Sequence, residues 1–215
     1  MLGVSLHRCV KLKQDIMEHY LNIIISVALA YLIGSFSTAI ITCKIMGLED
    51  PRKTGSNNPG ATNVLRHGGK KAAIITLLGD MLKGLIPVLV IIQLQADTLT
   101  VALVGLFALL GHIFPIYYGF KGGKGVATYY GVILGMNWLV GLFALAIWLV
   151  MAALLKISSL SALVSIFFTP LILWYFSHSV ELTATVAVMS LLVFWRHKTN
   201  IKSLLQGSEG KIGKA

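Results

Sequence analysis

Charge is what this chain has least of. Only 12% of its 215 residues are Asp, Glu, Lys or Arg, against 56% hydrophobic, and its mean hydropathy of +0.82 is too high for a soluble domain of this size. Acidic groups are the scarcest: 8 Asp and Glu face 18 Lys and Arg, for a formal net charge of +10. That scarcity weighs against reactions that gather several carboxylates around a divalent metal. The two cysteines, Cys9 and Cys43, are too few for a disulfide framework, and no Cys/His cluster has ligand spacing. No metal or cofactor is therefore expected. No convincing cleavage site follows the first apolar run, which continues into Gly34-Ser35-Phe36-Ser37-Thr38 and is expected to be retained as a span.

What the chain does have is long uncharged runs. They cover Tyr20 to Cys43, Thr98 to Phe120, Val126 to Leu155 and Ile157 to Val180. Since about 20 apolar residues cross the hydrocarbon core, each is long enough to span. The 30 residues from Val126 are long for one helix, and Gly131, Gly135 and Asn137 offer a turn that would divide them, the first piece being short. Ala72 to Gln95, interrupted by Asp80 and Lys83, and the short Leu182 to Trp195 complete the set. The expected fold is all-α: a polytopic membrane protein with seven transmembrane helices at 22–196, an N-terminal tail at 1–21 and an amphipathic tail at 197–215.

With seven spans, one set of loops holds nearly all the basic residues: Lys44, Arg52, Lys53, Arg66, Lys70, Lys71, Lys121, Lys124, Lys156, Arg196, Lys198, Lys202, Lys211 and Lys214. The loops near Asp97, Asn137 and Glu181 hold none. By the positive-inside rule the basic loops, 44–71 and 119–125 among them, and the C-terminus are cytoplasmic, with the N-terminus external. Arg8, Lys11 and Lys13 run against this rule; either the other loops outvote them, or translation starts at Met17. A basic face of this kind attracts anionic lipid headgroups and anionic substrates, so the net charge needs no nucleic acid to explain it.

Three polar islands border the apolar runs. Gly119-Phe120-Lys121-Gly122-Gly123-Lys124-Gly125 combines glycines, which let backbone N–H groups converge on an anion, with lysine charge. It is not a nucleotide-binding P-loop, because Tyr118 stands where the first glycine would be, Gly125 follows Lys124, and no strand precedes it. A tight basic turn that only sets topology is the plainer explanation. The second island, Gly55 to Arg66, packs hydroxyls and amides between glycines and ends in a guanidinium suited to bidentate phosphate recognition. A turn-rich connection capping the next helix would have the same composition. In the third, Arg196 to Glu209, Ile201, Leu204 and Leu205 fall on one helical face flanked by Lys198 and Lys202, as in an interfacial helix. His197 and Asn200 are three apart and point the same way. Asp80 and Lys83 share i, i+3 spacing, which fits a compensating intramembrane ion pair, although such charges are always candidates for function.

These segments together resemble the bacterial acyl-phosphate:glycerol-3-phosphate acyltransferase family, the PlsY type. The likeness lies in Gly34-Ser35 with Gly55 to Arg66, in Gly111-His112-Ile113-Phe114-Pro115 with Gly119 to Thr128, in Arg196-His197 with Asn200-Ile201 and Gly207-Ser208-Glu209, and in Gly79-Asp80 with Leu82-Lys83-Gly84. The resemblance implies a seven-helix enzyme of the bacterial inner membrane that acylates the 1-position of sn-glycerol 3-phosphate. The donor would be acyl phosphate, supplied by an upstream acyl-phosphate-forming enzyme, and the products lysophosphatidate and inorganic phosphate. It implies catalytic Ser56, His197 and Asn200, with Arg66, Lys124, Gly122, Gly123, Gly125 and Asn58 on the phosphates and Ser161 a weaker candidate. Three departures stand out: Ser37 in place of a common proline, Asn57-Asn58 for a usual Gly-Asn, and a displaced serine within Ser158 to Ala162.

The residues also narrow the mechanism. No histidine is followed five positions on by an aspartate, which excludes the His-x4-Asp type of glycerolipid acyltransferase, and no serine lies in a Gly-x-Ser-x-Gly elbow. A mixed anhydride of fatty acid and phosphate is already activated, so alignment and electrostatics are the expected work of the protein. The proton of the attacking hydroxyl passes either to His197 or to the donor's own phosphate. An organic-phosphate transporter would show paired halves with matching broken helices, which are not evident. A phosphatidyl transferase would need metal-binding carboxylates, which Asp80 alone does not supply.

Overall fold

The structure, a computed structural model, describes residues 2–212; Met1 of the 1–21 tail and Lys214 of the 197–215 tail lie outside the described residues. Every regular element among them is helical. In chain order these are α1 (Leu2–Gly34), α2 (Thr38–Ile45), α3 (Ala61–Gln93), α4 (Thr98–Ile113), a 3-10 turn (Ile116–Tyr118), α5 (Val126–Met136), α6 (Trp138–Leu155), α7 (Ser158–Ser177), α8 (Val180–Arg196) and α9 (Lys198–Leu205).

The breaks have local causes. Ser37, at the position of the departure noted above, caps α2 by accepting from the Ile40 N–H at 3.4 Å. Of the three residues that offered a turn in the long apolar run, Asn137 makes it: its side chain accepts from Val140 N–H and opens α6. Gly131 instead lets α5 close on α3, where a Cβ would collide with the Met81 carbonyl oxygen, and Gly84 does the same against Thr128. α3 is kinked at Gly69 (φ 81), which separates a short head carrying Asn63 and Arg66 from the apolar length beyond. The island Gly55 to Arg66 is thus turns up to Gly60 and helix from Ala61 onward.

The two ends of the bundle are distinct. Tyr31 OH donates to the Phe114 carbonyl at 2.7 Å, which puts the C-terminus of α1 beside that of α4, while His19 near the middle of α1 lies 3.9 Å from Asp97. Asp97, Asn137 and Ser179 each cap a helix at the end away from the islands. Among the described residues five helices are long and apolar enough to cross a membrane: α1 with α2 from Val10 to Ile45, α3, α4, α6 and α7. α8 with α9, bent by 61°, makes a sixth. α5 has 11 residues, about 16 Å of helix, and cannot cross a core of about 30 Å alone.

Candidate active site

The head of α3 organises the second island, Gly55 to Arg66. Asn63 is buried at its start; its Nδ2 donates to the carbonyls of Pro51 and Thr54 (2.9 and 3.0 Å) and its Oδ1 accepts from Ser56 N–H (3.1 Å). One amide therefore ties the loop across the helix end and sets Ser56 at the rim. Gly60 precedes α3 without a side-chain cap, and while the Asn63 N–H turns back to the Gly60 carbonyl, those of Ala61 and Thr62 stay available at the positive end of the helix.

The glycine-lysine turn does not lie flat on a surface. From Lys121 it folds into the bundle, where Gly122 and Gly123 are buried. Gly123 N–H donates to the His112 carbonyl (3.2 Å), and the carbonyls of Gly122 and Gly123 accept from Arg196 (2.9 and 3.2 Å). These two glycines are needed because a Cβ at either would strike His112. Lys124 emerges beyond them and donates to Asn200 Oδ1 at 2.6 Å. From there the polar chain continues: Asn200 Nδ2 donates to Glu209 Oε1, and Ser159 donates to the same oxygen, both at 2.6 Å.

His197 is buried at the junction of α8 and α9. Its Nδ1 faces the Val193 carbonyl at 2.7 Å, and because a carbonyl only accepts, Nδ1 holds the proton and Nε2 the lone pair. Burial pulls its pKa down to about 4, so the ring is neutral at physiological pH. Burial likewise lowers the pKa of Lys124, with the Glu209 charge opposing.

A cavity of about 310 Å³ collects these groups. Ser56, Asn58, Arg66, Lys124, Gly125, His197 and Asn200 all line it. Gly122, Gly123 and Ser161 do not: the first two pack behind the turn, and Ser161 donates to the Ile157 carbonyl at 2.8 Å. Ser159, on the opposite face of α7, stands in the cavity instead. Asp80, His112, Trp148 and Glu209 also line it and were not assigned from the sequence. Thr62, Asn63, Tyr130 and Ser158 add further polar groups, and Leu77, Met81, Val126, Leu145 and Leu149 supply an apolar stretch of wall. Asp80 and Lys83 do pair, at 2.9 Å, with His112 Nδ1 3.7 Å from the same carboxylate oxygen. Among the described residues no three His, Cys, Asp or Glu side chains converge as metal ligands would.

Comparison with known proteins bears on this geometry. Residues 24–207 match the family model described as glycerol-3-phosphate acyltransferase. A glycerol-3-phosphate acyltransferase from Thioalkalivibrio sulfidiphilus is 56% identical over 184 residues, covering 86% of this chain and 91% of the relative. One from Neisseria meningitidis is 50% identical, covering 87% and 96%. The crystal structure of PlsY, an integral membrane glycerol 3-phosphate acyltransferase, in its glycerol 3-phosphate form superposes with a TM-score of 0.86 at 36% identity, over 89% of this chain and 96% of that one. Its lysophosphatidic acid form gives 0.84 at 35% identity and the same coverage.

Proposed function

The chain belongs to the glycerol-3-phosphate acyltransferase family, and we propose that within it the acyl donor is an acyl phosphate, the products being lysophosphatidate and inorganic phosphate. The observation that carries this reading is the two-part cavity: a cationic and amide-rich mouth at Arg66, Lys124 and Asn200, continuous with an apolar wall from α3, α5 and α6. The mouth suits two phosphates and the wall suits a fatty chain. Solved relatives in forms with glycerol 3-phosphate and lysophosphatidic acid support the same pairing of substrate and product.

Arg66 and Lys124, with the uncapped first turn of α3, hold the phosphates; Asn58 and Gly125 complete that wall. Gly122 and Gly123 contribute by seating Lys124. Ser56 and Asn200 orient the hydroxyl and the developing oxyanion, and Ser159 takes the place in the cavity expected of Ser161. The 1-hydroxyl oxygen of glycerol 3-phosphate bonds to the acyl carbon, the bond from that carbon to the phosphate oxygen breaks, and the departing phosphate takes the hydroxyl proton. His197 accepts a hydrogen bond through Nε2 but is too weak a base, with a pKa of about 4, to compete with a phosphate dianion for that proton.

The island end of the bundle is cytoplasmic and the N-terminus external, on the positive-inside rule, with α5 and α8 completing seven membrane segments in the bacterial inner membrane. An acyl-phosphate-forming enzyme supplies the donor. The test is purified protein in detergent, given glycerol 3-phosphate with acyl phosphate or with acyl-CoA. Lysophosphatidate from the first donor alone is expected; equal product from acyl-CoA overturns the donor assignment.

A further inference from the structure

Asp80, Lys83 and His112 play no part in the mechanism above, yet they form a cluster of ionisable side chains buried inside the bundle, with exposures of 2, 7 and 7%. Ionisable groups within a membrane span are costly, and a pair serving only to neutralise itself is generally replaceable by apolar residues of similar size. This cluster does more than neutralise itself. Lys83 Nζ is fixed by the Phe36 carbonyl at 2.6 Å and stands 2.9 Å from Asp80 Oδ1. That same oxygen faces His112 Nδ1 at 3.7 Å, where a carboxylate orients an imidazole electrostatically. Both Asp80 and His112 line the cavity.

The far side of His112 meets the phosphate-binding turn. Its carbonyl accepts the Gly123 N–H at 3.2 Å, and its Nε2 edge fills the space into which a Cβ of Gly123 would project, with the Pro59 carbonyl closing that space. The next residue is Lys124. A continuous path therefore runs from Phe36 through Lys83, Asp80 and His112 to the turn that presents Lys124 to the mouth of the cavity.

We propose that Asp80, with its counter-charge Lys83, is a positioning residue: it orients the His112 ring beneath the Gly122-Gly123 turn and so sets where Lys124 meets the phosphate of glycerol 3-phosphate. This rests on the reading of Lys124 as a phosphate-binding residue. A displacement near 1 Å at a charge-assisted contact costs up to about a hundredfold, so loss of the device should appear in affinity for the small substrate.

The experiment compares steady-state kinetics of purified, folded wild type, Lys124→Met, Asp80→Asn with Lys83→Gln, and His112→Asn, with glycerol 3-phosphate and acyl phosphate. Removing both charges together leaves neither one unpaired, and His112→Asn keeps the backbone carbonyl while shortening the ring contact. The expected result is a KM for glycerol 3-phosphate raised about tenfold or more in the last two variants with kcat within about threefold, and almost no further loss when either is combined with Lys124→Met. A purely structural role would lower the yield or melting temperature and leave KM of the folded fraction unchanged. Unchanged KM in both, beside a raised KM in Lys124→Met, overturns this inference alone; unchanged KM in Lys124→Met overturns the assignment of Lys124 and this inference with it. Should the double charge variant fail to fold, His112→Asn decides the matter.

Discussion

Lys124 Nζ and Asn200 Oδ1 meet at 2.6 Å, although 76 residues separate them in the chain. One belongs to the turn before α5 and the other to α9, so this contact closes the glycine-lysine island and the third island on each other. Asn200 passes the interaction on to Glu209 through its other amide atom.

The amide is needed because it accepts from one side and donates to the other. Asn200→Asp would place two carboxylates together and bind Lys124 too firmly for a phosphate to replace it. The KM for glycerol 3-phosphate is expected to rise at least tenfold, while Lys124→Met lowers kcat/KM by about 10²–10³-fold. Initial-rate measurements on both variants check this, and an unaltered KM in Asn200→Asp refutes it.

A neutral His197 makes a pH prediction. With its pKa held near 4, no loss of kcat/KM is expected as pH falls through 6.5 on account of this ring. Its folded pKa lies below the unfolded value of about 6.5, so between those limits the unfolded chain binds the extra proton and stability drops as pH is lowered. His197→Gln should flatten that part of the melting-temperature profile in detergent. The same variant should lose less than about 10⁴-fold in rate; a greater loss with folding intact would make His197 the base.

Asn63 offers a stability test. Asn63→Asp would direct carboxylate lone pairs at the carbonyls of Pro51 and Thr54, which now accept its two N–H bonds. A loss of about 2–3 kcal/mol is expected, seen as a lower melting temperature, with Ser56 released from its place. Asn63→Asp as stable as wild type would show that the loop is held otherwise.

Two glycines of one island should behave differently. Gly123→Ala drives a methyl into the His112 ring and is expected to abolish most activity. Gly119→Ala meets open space at φ 61 and costs only the left-handed backbone strain, about 1–2 kcal/mol, with activity within about threefold. Similar losses in both variants would count against packing as the reason for Gly123.

Much of this was legible along the chain because it is local. The Asp80–Lys83 pair follows from i, i+3 spacing, and the division of the long apolar run at Asn137 follows from a side chain that caps the next helix. The approach of His112 to Asp80 was not, since it depends on how α4 crosses α3 and no periodicity encodes that. Ser159 and Ser161 show how fine the limit is: two residues apart on a helix they differ by about 200° in direction, so one reaches Glu209 and the other turns back to Ile157. Gly122 and Gly123 advertised free N–H groups, but the Gly123 N–H is taken by the His112 carbonyl, and both glycine carbonyls by Arg196.

The shortness of α5 decides the depth of the chemistry. Because its eleven residues begin level with Asp80, partway along α3, the cavity reaches into the depth of the bundle instead of ending at its rim. On the proposed chemistry, a water-soluble polyol and a greasy anhydride can then converge without either being pulled wholly out of its own phase. On that reading the newly made ester is born with its tail already against the apolar wall formed by α3, α5 and α6.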